Sequence, residues 1–312
     1  MNKFHYSNDN KRYHTFNYET RKHYGFKVFK VGLNAGFTCP NRDGKVAFGG
    51  CSFCNEIGSG DFQGNTTLNL LEQFDRGVSI QRKKWPDAKA IAYFQAFTNT
   101  YAPLEQLKCL YEPFLHHPDV VALAIATRID CLDEEIIQYL DGMTQIKDIY
   151  LELGLQSIHD ETVKHMNRGY TYAQFETVFK RLKQTKLKLI VHVMNGYPTE
   201  TTDQMLETVK IIGQLRPYGL KIHMLNLLEN TRLAMDHQIK PYALLDMESY
   251  IELVVNQLRH IPAEVAILRL TGDYSPTDLI EPQWIKQKIN VLNGIDKRMA
   301  ALDVYQGDLC FE

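Results

Sequence analysis

Residues 29–55 read FKVGLNAGFTCPNRDGKVAFGGCSFCN, and this stretch holds three of the six cysteines in the chain. Eleven residues separate Cys39 from Cys51, and two residues separate Cys51 from Cys54. The short second spacing lets two thiolates reach one metal centre, and the nearby glycines let the backbone fold around it. Three thiolates can hold a cubane iron–sulfur cluster with one iron left open, whereas structural zinc needs a fourth Cys or His. The loop therefore indicates an iron–sulfur cluster with an open coordination position.

Two other interpretations of the cysteines stay open on the sequence alone. They could be three unrelated buried side chains, or they could bind zinc together with a distant histidine such as His23 or His192. The position of the loop favours the cluster, because residues 27–33 alternate like a strand and the cysteines follow directly. Barrel enzymes of the α/β class keep their catalytic groups at that end of each strand.

Beyond this loop, strand and helix patterns alternate along the chain. Buried or alternating apolar runs predict strands, and apolar residues three or four apart predict the helices between them. The predicted strands cover residues 27–33, 90–94, 120–126, 149–153, 187–194 and 219–225. Thr171 and Gln174 have the spacing of a capping box at the start of one helix. Six strands that alternate with helices predict an α/β fold with a parallel sheet.

Length and composition fit one main domain. The chain has 312 residues, 44% of them hydrophobic, which is enough to bury a substantial core without a division into two domains. Six cysteines are too sparse for a disulfide framework, and the longest wholly apolar run, residues 120–126, is too short to cross a bilayer. We therefore expect a protein of the reducing cytoplasm with no membrane anchor.

The first 24 residues form a basic and aromatic arm. The whole chain has a net charge of −2, so any nucleic-acid surface has to be local. Residues 1–30 contain seven Lys and Arg against two acidic residues, interleaved with Phe and Tyr. Basic groups and aromatic rings together are typical of an RNA-binding surface, but an arm that packs its rings on the main domain has the same composition. Both interpretations stay open.

In the three cysteines after the first strand, the chain resembles the radical S-adenosylmethionine (SAM) superfamily. The commonest spacing there is C-x3-C-x2-C. The C-x11-C-x2-C of this chain instead resembles the branch with the YtqA/YhcC-type proteins and the radical domain of the elongator catalytic subunit. The resemblance implies a (βα)6 partial TIM barrel over residues 25–260, with a C-terminal extension of residues 261–312 packed at the barrel mouth. It also implies an enzyme with a [4Fe-4S] cluster on Cys39, Cys51 and Cys54, and SAM on the open iron.

Segments at the carboxyl ends of the strands carry the rest of the resemblance. ELGLQSIHDETVKHMNRG and HVMNGYPTET resemble the SAM-binding segments after the fourth and fifth strands. The resemblance implies SAM contacts from Thr98, Asn99, Arg128, Asp130, Gln156, Arg168, Asn195 and Gly196. The chain departs from the family at two of these places. It lacks the GGE motif at Thr98 and Asn99, and it has ATRID where the elongator-like segment has ETRPD.

The resemblance also implies a substrate and partners. The elongator relative modifies wobble uridine in tRNA, and the branch is associated with conversion of a carboxymethylaminomethyl group at uridine C5 to aminomethyl. This implies tRNA as a partner, together with an external one-electron reductant such as flavodoxin or ferredoxin. One alternative is a radical SAM enzyme that acts on a small metabolite or a protein side chain. The other is a zinc-stabilised RNA-binding module without catalysis.

Four further residues are candidates for catalysis. A carboxylate on the substrate needs a cation, and Arg128, Arg269 and Lys286 could each supply it. Arg269 could instead form an ion pair with Asp273. Cys131, which follows ATRID, is a candidate auxiliary thiol, although an inert buried cysteine is the alternative.

Overall fold

The computed structural model describes residues 4, 6–7, 9–55, 67–272 and 277–310. Its centre is a curled parallel sheet in the order β1-β2-β3-β4-β5-β6-β8. The strands are β1 (Val28–Leu33), β2 (Lys89–Phe94), β3 (Val120–Thr127), β4 (Asp148–Gln156), β5 (Lys188–Asn195), β6 (Gly219–Met224), β7 (Leu227–Leu228), β8 (Ala266–Arg269) and β9 (Leu279–Glu281). The six predicted strands are confirmed, and the fold is an α/β half-barrel.

Ten α-helices accompany these strands among the described residues. They are α1 (Phe16–Tyr24), α2 (Leu70–Arg82), α3 (Leu104–Leu115), α4 (Glu134–Met143), α5 (Asp160–Met166), α6 (Tyr172–Leu182), α7 (Thr202–Gln214), α8 (Arg232–Ile239), α9 (Met247–Arg259) and α10 (Lys288–Ala301). Packing on the sheet is aromatic in places, since Phe94 of β2 lies edge-on to Phe114 of α3 with ring centroids 5.3 Å apart. The predicted capping box of α6 is present between Thr171 and Gln174. Within the described ranges, none of the helices combines the length and the apolar character that a membrane span needs.

A seventh strand extends the predicted sheet. Strand β8 pairs in parallel with β6, so the start of the predicted extension contributes to the barrel. Prediction from sequence missed it because the strand has only four residues and lies beyond α8 and α9. The free edge of β8 is partly covered, since Thr15 forms a parallel bridge with Ile267.

Part of the extension packs at the barrel mouth, as expected. Strand β9 pairs antiparallel with β7, which follows the carboxyl end of β6. Ile280 of β9 packs there on a cluster that includes Tyr197 and Leu227, and Phe53 of the cysteine loop joins the same cluster. Helix α10 instead packs against α9 in the outer layer.

Helix α1 covers the amino-terminal end of the barrel. It contacts both β1 and β8, the two edges of the sheet. Phe16 lies edge-on to Tyr150 of β4 with ring centroids 5.5 Å apart, and the Tyr24 hydroxyl donates a hydrogen bond to Asp148 at 2.6 Å. The arm therefore closes one end of the barrel with aromatic side chains.

Other arm residues are also engaged in packing. The side chains of Phe4, Tyr6 and Tyr13 are buried. Lys11 is ion-paired with Asp296, and Arg12 is ion-paired with Asp303 at 2.8 Å. For these residues the packing interpretation applies, because buried rings cannot stack on bases.

Candidate active site

The carboxyl ends of the strands open into a central cavity of about 140 Å³. Seven of the predicted site residues line it, namely Cys39, Cys51, Cys54, Thr98, Arg128, Gln156 and Arg168. They come from the cysteine loop, the ends of β2, β3 and β4, and the loop after α5. The fold therefore brings the cysteines together with polar residues that are distant in sequence.

Asn41 holds the cysteine loop against the far wall of the cavity. Its Nδ2 donates to Cys51 Sγ at 3.5 Å and to the carbonyl oxygen of Arg168 at 3.2 Å. A hydrogen bond with Cys54 lowers the pKa of the Cys51 thiol to about 7, and the charge of Arg128 adds to this effect, although burial opposes it. Thiolate is the form that binds metals, so the loop favours the ligating state of Cys51.

The donor set fits an iron–sulfur cluster. Three thiols line one cavity, and the guanidinium groups of Arg128 and Arg168 beside them favour negative charge. The histidines considered as zinc ligands bind carboxylates instead. His23 Nε2 lies 2.7 Å from Asp148 Oδ2, and His192 Nε2 lies 2.9 Å from Glu152 Oε2.

Gln156 reaches the cavity from a strained backbone position. It ends β4 with a φ of 62°, in the left-handed region that residues other than glycine rarely adopt, where the pairing with β5 shifts register. Its amide folds back over Gly154, where an added Cβ would lie 2.8 Å from Gln156 Nε2. The turn therefore presents one amide, both a donor and an acceptor, to the cavity.

Arg168 ties the loop after α5 to the end of β4. The residue is 1% exposed, and its guanidinium donates to the carbonyl oxygens of Leu155, Ser157 and Tyr170. Nη1 donates to the Ser157 oxygen at 2.8 Å, Nη2 donates to the Tyr170 oxygen at 2.8 Å, and Nε donates to the same Tyr170 oxygen at 3.2 Å. Nη1 also donates to the Leu155 oxygen. Four of its five N–H groups are thus occupied by described carbonyls, which leaves one for a ligand in the cavity.

Arg128 and Asp130 form a two-point ion pair at the cavity wall. Arg128 Nε and Nη2 donate to the two carboxylate oxygens at 2.9 and 2.7 Å, and Nη2 also donates to the Arg168 carbonyl at 2.7 Å. The adjacent Cys131 lines a different pocket. Burial, reinforced by the charge of Asp130, raises the pKa of its thiol to about 12, so Cys131 stays neutral near pH 7.

Three predicted SAM contacts are engaged within the fold. Asn99 is buried and donates to two backbone carbonyls at 3.0 Å. Asn195 exchanges two hydrogen bonds of 2.8 Å with the side chain of Gln257. Gly196 donates its backbone N–H to Met205 Sδ at 3.2 Å, and its φ of 86° favours glycine. For these residues the contact with SAM stays a prediction.

The remaining candidate cations lie in different environments. Lys286 is exposed on a 3-10 turn that follows β9. Arg269 ends β8, and its charge contributes to the lowered pKa of His192, after burial and Lys221. Its guanidinium therefore lies near a residue that lines the cavity. The predicted alternative, an ion pair with Asp273, falls outside the described residues.

Sequence reasoning missed a layer of polar side chains inside the barrel. We call this the polar layer, and its members are Lys30, Tyr93, Glu152, His192, Lys221 and His223. Glu152 Oε1 contacts Lys30 Nζ at 2.6 Å, Oε2 contacts His192 Nε2 at 2.9 Å, and Lys221 contacts both Glu152 and, at 2.9 Å, the Tyr93 hydroxyl. The available signal was charge within apolar strands, since Lys221 and His223 are two residues apart and share one face of β6.

Comparisons with known proteins identify the family to which the chain belongs. The radical SAM superfamily profile matches residues 37–212, and the Radical_SAM C-terminal domain profile matches residues 217–301. The chain is similar to the protein YtqA of Bacillus subtilis (strain 168), with 43% identity over 98% of this chain and 95% of that protein. It is 30% identical to the tRNA uridine(34) acetyltransferase of Methanocaldococcus infernus over 57% of this chain and 33% of that protein.

The fold also has a relative among solved structures. The archaeal Methanocaldococcus infernus Elp3 with an N-terminal deletion superposes with a TM-score of 0.67 at 18% identity, over 89% of this chain and 64% of that one. At this identity the likeness concerns the fold alone. The profile match over residues 37–212 and the similarity to YtqA concern the sequence itself. The chain belongs to the radical SAM superfamily, a family of enzymes that use a [4Fe-4S] cluster and SAM.

Proposed function

We propose that this enzyme acts on tRNA and converts a carboxymethylaminomethyl group at C5 of the wobble uridine to aminomethyl. Sequence support comes from the similarity, over 186 residues, to proteins named tRNA uridine(34) acetyltransferase. The observation in this chain that carries the proposal is a basic cleft along the open seam of the barrel, between β1 and β8.

The basic cleft has a volume of about 390 Å³ and is flanked by α1. The charged side chains that line it, among the described residues, are Lys27, Lys30, Arg269 and Lys288, of which Lys30 is ion-paired with Glu152 at 2.6 Å. Lys30 also contacts Glu152, which lines the central cavity, so the cleft extends to the wall of that cavity. Clustered cations suit a phosphate backbone, because phosphate neutralisation supplies much of the affinity for nucleic acid.

The cofactor site is the second part of the proposal. Cys39, Cys51 and Cys54 hold the cluster, and Gln156 and Arg168 offer polar contacts to SAM. When bound, the cluster and SAM supply a 5′-deoxyadenosyl radical, for which a flavodoxin- or ferredoxin-type protein provides the electron. The side chains of the cavity orient the substrate and exclude water. We place this activity in the reducing cytoplasm.

The reacting carbon in this proposal is the CH2 between the nitrogen and the carboxylate. Transfer of a hydrogen atom from this carbon, which is recovered in 5′-deoxyadenosine, leaves a carbon radical that both neighbours stabilise. One electron then passes to a flavodoxin- or ferredoxin-type acceptor and the N–H proton leaves, which gives an imine. Water adds to the imine carbon, and cleavage of the C–N bond releases glyoxylate and the primary amine.

Nucleoside mass spectrometry of tRNA from a deletion strain tests the substrate. The carboxymethylaminomethyl nucleoside should accumulate, and nucleosides that derive from the aminomethyl form should disappear. Complementation with the wild-type gene should restore them. Unchanged wobble uridines would refute the tRNA assignment and leave a small metabolite or a protein side chain as the substrate.

The basic cleft is tested by a double variant, Lys27→Ala with Lys288→Ala. It should bind tRNA more weakly, and the slope of log affinity against log salt should fall by roughly 1 to 2. The matched control replaces Lys180 of α6 and Lys183, which directly follows α6; both are exposed, and their replacement should leave both quantities unchanged. Equal tRNA affinity in the cleft variant and wild type would show that the cleft does not bind RNA.

Anaerobic reconstitution tests the cluster ligands. The variant with Ala at positions 39, 51 and 54 should lose bound iron and sulfide, visible absorption and formation of 5′-deoxyadenosine. Cys131→Ala is the control, because that thiol stays protonated and lines another pocket. Retention of the cluster in the triple variant would contradict the assignment.

A further inference from the structure

The loop after β2 holds a bulky side chain in a backbone conformation that such residues rarely adopt. Phe97 has a φ of 59°, in the left-handed region. Glycine adopts this region freely, whereas a phenylalanine there costs free energy. The backbone that follows is fixed, since the Thr98 N–H donates to the carbonyl oxygen of Thr38 at 3.3 Å. The fold therefore keeps an aromatic ring at a position whose backbone favours glycine.

The Phe97 ring lies at the wall of the central cavity. It lines this cavity together with the three cysteines and packs on the hydrophobic core. Among the described residues other than glycine that have a positive φ, Phe97 and Gln156 are the two that line this cavity. Backbone strain persists where the surrounding structure enforces it, and it clusters at ligand sites. The strain at these two strand ends therefore indicates that both side chains contact a ligand.

Core packing alone does not account for the Phe97 ring. The core rings of Phe94 and Phe114 are at most 1% exposed, whereas Phe97 is only partly buried. Because Phe97 lines the cavity, part of its surface stays available to a ligand there. A smaller residue or glycine at this position would avoid the strain and still close the turn.

A guanidinium group backs the ring. The Arg42 guanidinium carbon lies over the Phe97 ring, 5.3 Å from the ring centroid, and Arg42 also lines the cavity. Arg42 Nη1 donates to the carbonyl oxygen of Asn55 at 2.9 Å, which helps to hold the group in place. Aromatic rings and guanidinium planes are the surfaces on which proteins stack unpaired nucleobases. Enzymes that act on a base hold it out of the helix stack against such side chains.

We propose that Phe97, backed by Arg42, is the face on which the pyrimidine ring of the substrate nucleoside stacks. This rests on the proposed function, which makes a wobble uridine the substrate. A pyrimidine on Phe97 lies in the cavity that the three cysteines line, so its C5 substituent is close to the cofactors that they hold. Phe97 orients the substrate in this proposal and takes no part in bond changes.

Two anticodon stem–loop RNAs test the proposal directly. One has uridine at the wobble position, and the other has 5,6-dihydrouridine, which keeps the hydrogen-bonding edge of uridine but lacks its planar π-surface. Reconstituted wild-type protein at saturating SAM, without a reductant, should bind the uridine RNA at least about threefold more tightly, because stacking on an aromatic ring needs that surface. Phe97→Leu should lose most of this preference, and Phe97→Tyr should keep it.

Phe48→Leu is the matched control. Phe48 is 79% exposed on the cysteine loop and is not among the residues that line the central cavity, so this variant should keep the full preference. An equal preference in Phe97→Leu and wild type would overturn the proposal. SAM affinity is measured in parallel by dialysis. If Phe97→Leu loses SAM affinity but keeps the preference for uridine, the ring packs on the cofactor and the proposal is wrong.

Backbone strain gives a second readout. Glycine adopts the left-handed region without strain, whereas alanine at position 97 keeps the strain and lacks the ring. Phe97→Gly should therefore unfold at a higher urea concentration than Phe97→Ala, and both variants should lose the preference for uridine. A lower unfolding midpoint for Phe97→Gly would show that position 97 is not strained, and the argument from the backbone would fail.

The possible outcomes separate this stacking face from the proposed function. Free uridine and free 5,6-dihydrouridine serve as a second pair of probes, because they carry no RNA. If tRNA is unaltered in the deletion strain while the preference for free uridine still depends on Phe97, the tRNA assignment fails and the stacking face stands. If tRNA is altered but the preference survives in a folded Phe97→Leu variant, the function stands and the face is wrong. Circular dichroism confirms that each variant is folded.

Discussion

Replacing Arg168 with Met separates two roles that the residue could have. The structure shows four N–H groups of Arg168 on three buried carbonyl oxygens, which makes it a clamp between β4 and the loop after α5. Each carbonyl left without a partner costs about 1–3 kcal/mol, and relief from burying a charge offsets part of the sum. We expect a loss of about 3 kcal/mol in the free energy of unfolding, or roughly 6 °C in melting temperature for a chain of this size.

Urea unfolding of the cofactor-free protein, followed by far-ultraviolet circular dichroism, measures this loss. Arg181→Met is the control, since its exposed ion pair with Glu134 should contribute less than about 1 kcal/mol. SAM binding to the reconstituted variants is measured in parallel. If Arg168→Met unfolds within about 0.5 kcal/mol of wild type and loses only SAM affinity, Arg168 is a ligand contact and the clamp argument is refuted.

Three further outcomes follow from the structure. In the Gly154→Ala variant the new Cβ displaces the Gln156 amide from its position in the cavity. SAM affinity measured by dialysis should therefore fall about threefold to tenfold, while the stability of the fold changes little. Unchanged SAM affinity would exclude Gln156 as a SAM contact. Thr171→Ala removes the α6 capping box and should cost about 1 kcal/mol in urea unfolding, whereas no loss would show that the cap is dispensable. Above pH 7 the free energy of unfolding of wild type should rise, relative to that of Lys221→Met, by up to about 1.4 kcal/mol per pH unit, because Lys221 binds a proton in the unfolded chain that it lacks in the folded protein. Parallel stability profiles of the two proteins between pH 7 and 9 would contradict the lowered pKa of Lys221.

The sheet was predictable because local pattern and tertiary role agree in most strands. Strand β3 is a run of apolar residues with turn signals on both sides, and its observed bounds differ from the predicted residues 120–126 by one position. Strand β8 was not predictable in this way. Four residues are too few for a periodic signal, and only the exposed edge of β6 gives them a partner.

The candidate site was predictable in part because polar residues that directly follow predicted strands can be recognised in the sequence. Thr98 and Gln156 follow strand ends and do line the cavity, as the position of the cysteine loop suggested. Asn99 and Asn195 have the same sequence signature, but the Nδ2 of each donates to a partner inside the fold, which only three-dimensional contacts reveal, and their contact with SAM stays a prediction. The polar layer was missed because Glu152 lies within an apolar strand. Its pairing with residues from other strands is not encoded in any local pattern.

The bridge between Thr15 and Ile267 has a consequence for the order of folding. These residues stand at nearly opposite ends of the chain, and Lys11 and Arg12 pair with residues later still. During synthesis Lys11, Arg12 and Thr15 emerge long before their partners Asp296, Asp303 and Ile267. Contacts between residues so far apart in sequence form late in folding, because closing the long chain segment between them costs conformational entropy, and that cost falls once the local units between them have assembled. The nascent β1–β6 sheet therefore keeps an uncovered edge at β6 until β8 pairs with it and Thr15 bridges to β8.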